Sequence, residues 1–217
     1  MKKLFSLILT MALLAASLAG CTAGKEQQYT VTYLDLFDTV TTVIGRDVTE
    51  EAFREKTQNI YDDLQYYHRL FDIYHDYEGV NNIKTVNDNA GVAPVKVDPA
   101  VIDLLLDCRE FYDLTDRKVN VMMGSVLRLW HEARNNGIND PAGAALPAME
   151  ALRDAADHCG IDALQIDEEA STVYISDARA QLDVGAIAKG WATQLAAENA
   201  PEGMLISVGG NVCATGP

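Results

Sequence analysis

The chain has 217 residues, with 32 Asp and Glu against 17 Lys and Arg, and a formal net charge of −15 at pH 7. That balance argues against nucleic acid and against an anionic membrane face as partners, since both require basic surface. With 48% hydrophobic residues the chain can still bury the core of one domain.

Lys2 and Lys3 precede an apolar run from Leu4 to Leu18, which ends in Leu18-Ala19-Gly20-Cys21. A basic start, a short apolar segment and small residues at its end describe a secretory signal rather than a membrane span. The Leu-Ala-Gly-Cys ending resembles a bacterial lipobox, in which Cys21 receives lipid and becomes the mature N-terminus. The alternative is an ordinary signal peptide with an incidental cysteine. The expected organisation is a signal over 1–20, a tether over 21–28 and a folded portion over 29–217, exported and lipid-anchored on the extracytoplasmic face of a bacterial cell membrane. Loss of Lys2 and Lys3 moves the net charge from −15 to −17.

Residues 28–46, rich in Tyr, Val and Thr, read as one or two strands. Asp47 or Thr49 is placed to cap a helix whose apolar positions are Phe53, Ile60, Leu64, Tyr67 and Phe71. The segment 72–97 has little helical rhythm and reads mostly as loop. Asp98-Pro99 supplies an N-cap and a first-turn proline for a helix to about Leu114. A further helix is expected over 123–134, a polar connection over 135–146, and a helix from Pro147 to Gly160 with a Met149, Leu152, Ala156 and Cys159 stripe. Leu129 and Trp130 are expected to pack. Short strands follow at 164–166 and 172–175 around the Asp167-Glu168-Glu169-Ala170 turn. Cys108, Cys159 and Cys213 lie far apart without metal-ligand spacing, and Cys108 and Cys159 are expected to be buried apolar residues. His68, His75, His131 and His158 likewise show no ligand spacing.

The densest signal is Leu182-Asp183-Val184-Gly185-Ala186-Ile187-Ala188-Lys189-Gly190-Trp191. It reads as a strand over 181–184 that delivers the Asp183 carboxylate, turns through Gly185 and enters a helix to about Glu198. The first turn of a helix carries unpaired N–H groups and the positive end of its dipole, which attract anions. An acid, a lysine, a glycine and a helix start so close together suit a nucleotide-like ligand, with or without a metal. The same residues also describe an ordinary junction with a solvated lysine. An apolar strand over 204–208 and a Gly209-Gly210-Asn211 turn follow. With no closing element expected after it, that strand would expose an edge and an apolar face. The class is α+β, a mixed sheet with flanking helices.

Five segments, in order, resemble the ApbE family of FAD:protein FMN transferases, usually exported lipoproteins. They are Phe37-Asp38-Thr39, Phe71-Asp72-Ile73-Tyr74 with Asn87 after it, Val119–Trp130, Leu182–Trp191, and Ser207-Val208-Gly209-Gly210-Asn211. The resemblance implies a T-fold-related domain, incomplete at the C-terminus, and FAD contacts at Phe37, Tyr74, Val119, Asn120, Val121, Asp183 and Lys189. It also implies a Mg²⁺ ion held in part by the Ala186 carbonyl, with its side-chain ligands and the catalytic groups beyond Pro217. Two departures stand out: Asn120 where many members have Asp, and Phe37-Asp38 in place of Met-Gly. The implied reaction moves FMN from FAD to a Thr or Ser hydroxyl of a target flavoprotein and releases AMP. A lipid-anchored FAD-binding or scavenging protein and an FAD pyrophosphatase are the alternatives.

Overall fold

A computed structural model describes residues 24–216. The signal segment and Cys21 lie outside the described residues. Strand β1 (Gln27–Leu36) starts two residues inside the stretch read as tether and pairs antiparallel with β2 (Thr39–Asp47). The two-residue loop between them, Phe37-Asp38, is left-handed at both positions, with φ of 52° and 50°. That geometry matches the twist of a tight hairpin and normally recruits Asn or Gly.

Helix α1 (Glu50–Phe71) starts where Thr49 Oγ1 accepts the Ala52 amide at 3.2 Å. Asp47, the other cap candidate, instead accepts the Val48 amide and pairs with Lys56. Phe53, Ile60, Leu64 and Phe71 are buried, as their spacing predicts. The segment 72–97 is more ordered than its sequence suggests. It contains α2 (Ile83–Asp88), started by a capping box between Asn82 and Thr85, and the short β3 (Val95–Lys96). Six residues are too few to show a helical period, so the cap was the available signal.

Helix α3 (Pro99–Leu114) is capped by Asp98 as expected. Helix α4 (Gly124–Asn139) runs five residues beyond Arg134, through Gly137, and stops at Asp140, the residue before Pro141. Proline disfavours helical geometry in its predecessor, which makes it the firmer stop. Helix α5 is shorter than expected (Met149–Ala156). Ala155 rather than Ala156 is its buried alanine, Met149 is exposed, and Cys159 lies past the helix, half-buried. Trp130, read as packing, is 43% exposed. Cys108 is buried, and all three described cysteines are free thiols.

Strands β4 (Leu164–Asp167) and β5 (Thr172–Ile175) form an antiparallel sheet in the order β3-β5-β4. After α6 (Ala188–Asn199), β6 (Met204–Val208) and β7 (Asn211–Thr215) complete a second sheet in the order β1-β2-β6-β7. The α+β class with flanking helices stands. The pairings within the sheets are antiparallel, and the parallel component is a bridge between Met123 and Gln181. The apolar strand 204–208 is not left open: β6 lies between β2 and β7, and Met204, Ile206 and Val208 are buried. Helices α1 and α6 pack together and contact strands of this sheet. Among the described residues no helix is long and apolar enough to cross a membrane.

The β6–β7 turn, Gly209-Gly210, is also left-handed, and the Gly209 amide donates to the Val40 carbonyl. A Cβ on Gly209 would stand 2.8 Å from Thr39 Oγ1. Gly209→Ala is therefore expected to destabilise the chain by about 1–3 kcal/mol, read by urea unfolding, from left-handed strain together with the collision. An unchanged midpoint would show that the turn relaxes freely.

Candidate functional site

A cleft of about 690 Å³ opens where the β1–β2 tip, the loop after α1, helix α4 and the start of α6 meet. That is within the usual range for small-molecule sites, about 300–1,000 Å³. Phe37, Tyr74, Asp183 and Lys189, four of the residues singled out from sequence, line it together.

Segment 181–184 is not a strand. Its backbone is satisfied piecemeal: the Gly124 amide donates to the Gln181 carbonyl, and the Asp183 amide donates to the Val121 carbonyl at 2.8 Å. Asn87 completes the arrangement. Its carboxamide accepts the Leu182 amide at 2.7 Å and donates to the Leu182 carbonyl at 3.0 Å. Leu182 and Val184 are buried while Asp183 is not, so burial alternates as in a strand without strand partners. Asp183 Oδ1 then accepts the Gly185 amide at 2.9 Å, turning the chain. Helix α6 consequently starts at Ala188, past the turn at Gly185 from which it was expected to lead directly.

The turn leaves useful groups exposed. The Ile187 and Ala188 amides both donate to the Val184 carbonyl, and the Trp191 amide donates to Ile187. Among the described residues nothing donates to the Ala186 carbonyl. Lys189 Nζ donates to the Gly185 carbonyl at 3.2 Å, which holds its ammonium over the helix start. The cation therefore adds to the positive end of the dipole at the mouth of the cleft.

Val119, Asn120 and Val121 are placed behind this segment rather than along the cleft. Val121 is 2% exposed and braces Asp183 through its carbonyl. The Asn120 carboxamide accepts the Met122 amide and donates to the Cys159 carbonyl. The Val119 amide donates to Thr115 Oγ1 at 3.0 Å.

Three histidines that showed no pattern in the sequence line the cleft: His68, His75 and His131. The Tyr74 hydroxyl lies 3.2 Å from the His131 ring nitrogens, and an Arg134 guanidinium nitrogen lies 3.3 Å from Nδ1 of the same ring. His131 and Arg134 are three residues apart on α4 and so share a face, a spacing visible in the sequence. Burial, and then the Asp183 charge, push the Tyr74 phenol above its ordinary pKa. Asp72, absent from the sequence reading as a site residue, has a side chain only 5% exposed. Burial opposes its charge, but the Tyr74 amide, the Tyr77 hydroxyl and His75 outweigh that and hold the carboxyl below its usual value. The bond to Asp72 raises the His75 pKa in turn. His158 pairs with Asp177 outside this cleft.

The family model for ApbE matches residues 27–217. The chain belongs to the ApbE family. It is 32% identical over 143 residues to the FAD:protein FMN transferase of Treponema pallidum (strain Nichols), an alignment covering 62% of this chain and 38% of that protein. Its fold is similar to the crystal structure of the ApbE protein from Thermotoga maritima, with a TM-score of 0.72 at 24% identity, covering 88% of this chain and 60% of that one. The flavin transferase ApbE from Vibrio cholerae gives a TM-score of 0.69 at 16% identity, covering 86% and 58%. The chain thus spans less than two thirds of the length of each.

In this ApbE chain the cleft rests on contacts that can be broken singly. Asn87→Ala removes both bonds to Leu182 and leaves two part-buried backbone groups unpaired, at a cost of about 1–3 kcal/mol. Chemical unfolding measures it, and a wild-type midpoint would mean the segment needs no clamp. Asp72, whose folded pKa is lowered, contributes stability that is present above its unfolded pKa, about 3.9, and fades as pH falls through the folded value. Asp72→Asn should therefore flatten the acid limb of the stability–pH curve. An acid limb identical to wild type would show that Asp72 does not contribute to it.

Proposed function

We propose that this ApbE chain contributes the FAD-binding side of an FAD:protein FMN transferase. The observation that carries the reading is the convergence of three motif segments, at Phe37-Asp38, at Phe71 to Tyr74 and at Asp183 to Lys189, on one cleft, with Phe37 and Tyr74 offering aromatic surface and Lys189 a cation at a helix start. An aromatic contact to a flavin or adenine ring contributes about 0.5–1.5 kcal/mol beyond burial. Lys189, held at the positive end of α6, would face the charge of the pyrophosphate.

In the transfer, a Thr or Ser hydroxyl of the target flavoprotein attacks the phosphorus on the FMN side of the pyrophosphate. A new P–O ester bond forms, the bond to the bridging oxygen breaks, and AMP leaves with that oxygen as the hydroxyl proton is lost. A magnesium ion held there would supply charge neutralisation on the phosphate oxygens. The Ala186 carbonyl fits one position of such an ion, being an oxygen donor outside the helical ladder. Among the described residues no three His, Cys, Asp or Glu side chains are grouped as a metal site. Asp183 orients the turn that presents Ala186 and Lys189. Export and anchoring through Cys21 would place the site outside the cytoplasm.

Incubation of a form of the protein that spans the full length of its relatives with FAD, Mg²⁺ and a target domain bearing an acceptor Thr separates the readings. Flavin retained on the denatured target is the expected result. Free FMN and AMP would indicate a pyrophosphatase, and intact FAD a binding protein. Lys189→Ala removes a charge-assisted contact worth about 1.5–3 kcal/mol and should weaken FAD binding at least tenfold without changing the fold. Asp183→Ala should weaken it at least as much. Wild-type affinity for both in a fluorescence titration would remove the site assignment. Cys21→Ser should abolish labelling by a palmitate analogue, because a serine hydroxyl cannot form the thioether; persistent labelling would refute the lipobox reading.

A further inference from the structure

Two aromatic residues of the cleft, Phe37 and Tyr74, come from unrelated parts of the chain, yet one polar network ties them together. The Phe37 amide donates to His68 Nδ1 at 3.0 Å. A neutral imidazole that accepts at Nδ1 carries its proton on Nε2. That nitrogen lies 3.2 Å from the Tyr77 hydroxyl, which donates its own proton to Asp72 Oδ2 at 2.7 Å. The other carboxylate oxygen, Asp72 Oδ1, accepts the Tyr74 amide at 2.6 Å and the His75 amide at 3.2 Å. The His75 ring reaches Oδ2 at 2.9 Å. The path therefore runs from the backbone of Phe37 to the backbone of Tyr74 through three side chains.

Each link has a reason to be there. Phe37 is held at φ 52°, a conformation that a phenylalanine adopts only under constraint, and His68 accepts the amide of that strained residue. The Phe37 ring also meets the His68 ring edge-on at 5.4 Å, so the imidazole fixes side chain and backbone together. Asp72 forms an Asx turn that sets the start of the Tyr74 loop. Neither histidine nor carboxylate is needed merely to fill apolar space. We propose that His68 is a positioning residue that, through Tyr77 and Asp72, holds the Phe37 and Tyr74 walls of the cleft in the register that binds the flavin nucleotide. The proposal rests on the FAD reading of the cleft.

The test is FAD titration of the whole chain with unfolding measured in parallel. Phe37→Ala and Tyr74→Ala serve as reference variants for that reading and should each weaken binding. His68→Phe keeps a ring and removes both polar links, and is expected to weaken FAD binding about tenfold. His68→Asn keeps an acceptor near the Nδ1 position and should recover much of that loss. Tyr77→Phe, which changes little volume, should weaken binding less than His68→Phe, and the double variant no more than His68→Phe alone. In a Phe37→Ala, Tyr74→Ala background, His68→Phe should add nothing, because the walls through which it acts are gone. A general loss of structure would instead add in every background.

Wild-type affinity for folded His68→Phe and Tyr77→Phe overturns the proposal. So does an undiminished effect of His68→Phe in the background without the two walls. If Phe37→Ala and Tyr74→Ala bind FAD as wild type does, the FAD reading of the cleft fails, and the positioning role falls with it.

Discussion

The Asn87 carboxamide, paired with both backbone groups of Leu182 across 95 positions of sequence, is the contact on which the cleft depends. A side-chain amide presents one acceptor and one donor in the geometry of a peptide group, so Asn87 occupies the place of a neighbouring strand. With Val121 and Gly124 taking the other backbone groups, segment 181–184 is fixed without belonging to a sheet. That freedom allows the Asp183 carboxylate to bend the chain at Gly185, and the bend separates the Ala186 carbonyl from the helix. Had 181–184 continued into a regular ladder, its neighbours would have constrained this turn.

The same arrangement explains where sequence reading succeeds and where it does not. Gln181-Leu182-Asp183-Val184 alternates in burial as a strand does, so its pattern reports packing correctly and pairing incorrectly. Alternation records which side chains face the core, not what satisfies the backbone between them. The long, capped elements were legible because caps and period agree: Thr49 with α1, and Asp98-Pro99 with α3. The short strands β4, β5 and β6 were legible too, as apolar and β-branched runs, whereas α2 and β7 were not. Helix α2 has six residues and β7 has five, and each owes its stability to neighbours rather than to its own pattern. Helix α4 ran on because a single glycine inside a helix costs about 1 kcal/mol, too little to end it.

In the cleft, the legible residues are those with a local physical reason. Asp183 and Lys189 sit at a turn into a helix, and that signal lies within seven residues. His68, His75 and His131 belong to the end of α1, the following loop and α4, and only the folded topology brings them to one place. The Val119-Asn120-Val121 segment shows the opposite case. It was marked by resemblance, and the structure places it as the brace behind Asp183.

The departure at Phe37-Asp38 connects these observations. Both residues are left-handed, in a turn whose neighbour, Gly209-Gly210, meets the same backbone demand with glycine. Asp is among the few non-glycine residues that visit this conformation readily, so Asp38 can stand where the family often has glycine. Phe37 has no such licence. A bulky residue at positive φ persists only when its surroundings over-determine it. Here the surroundings are the His68 acceptor beneath its amide, the His68 ring against its own, and the closed β1–β2 ladder on either side. The substitution that looked like a weakness in the motif is thus accompanied by the groups that make it tolerable. Those groups lead directly, through Tyr77 and Asp72, to the other aromatic wall of the cleft.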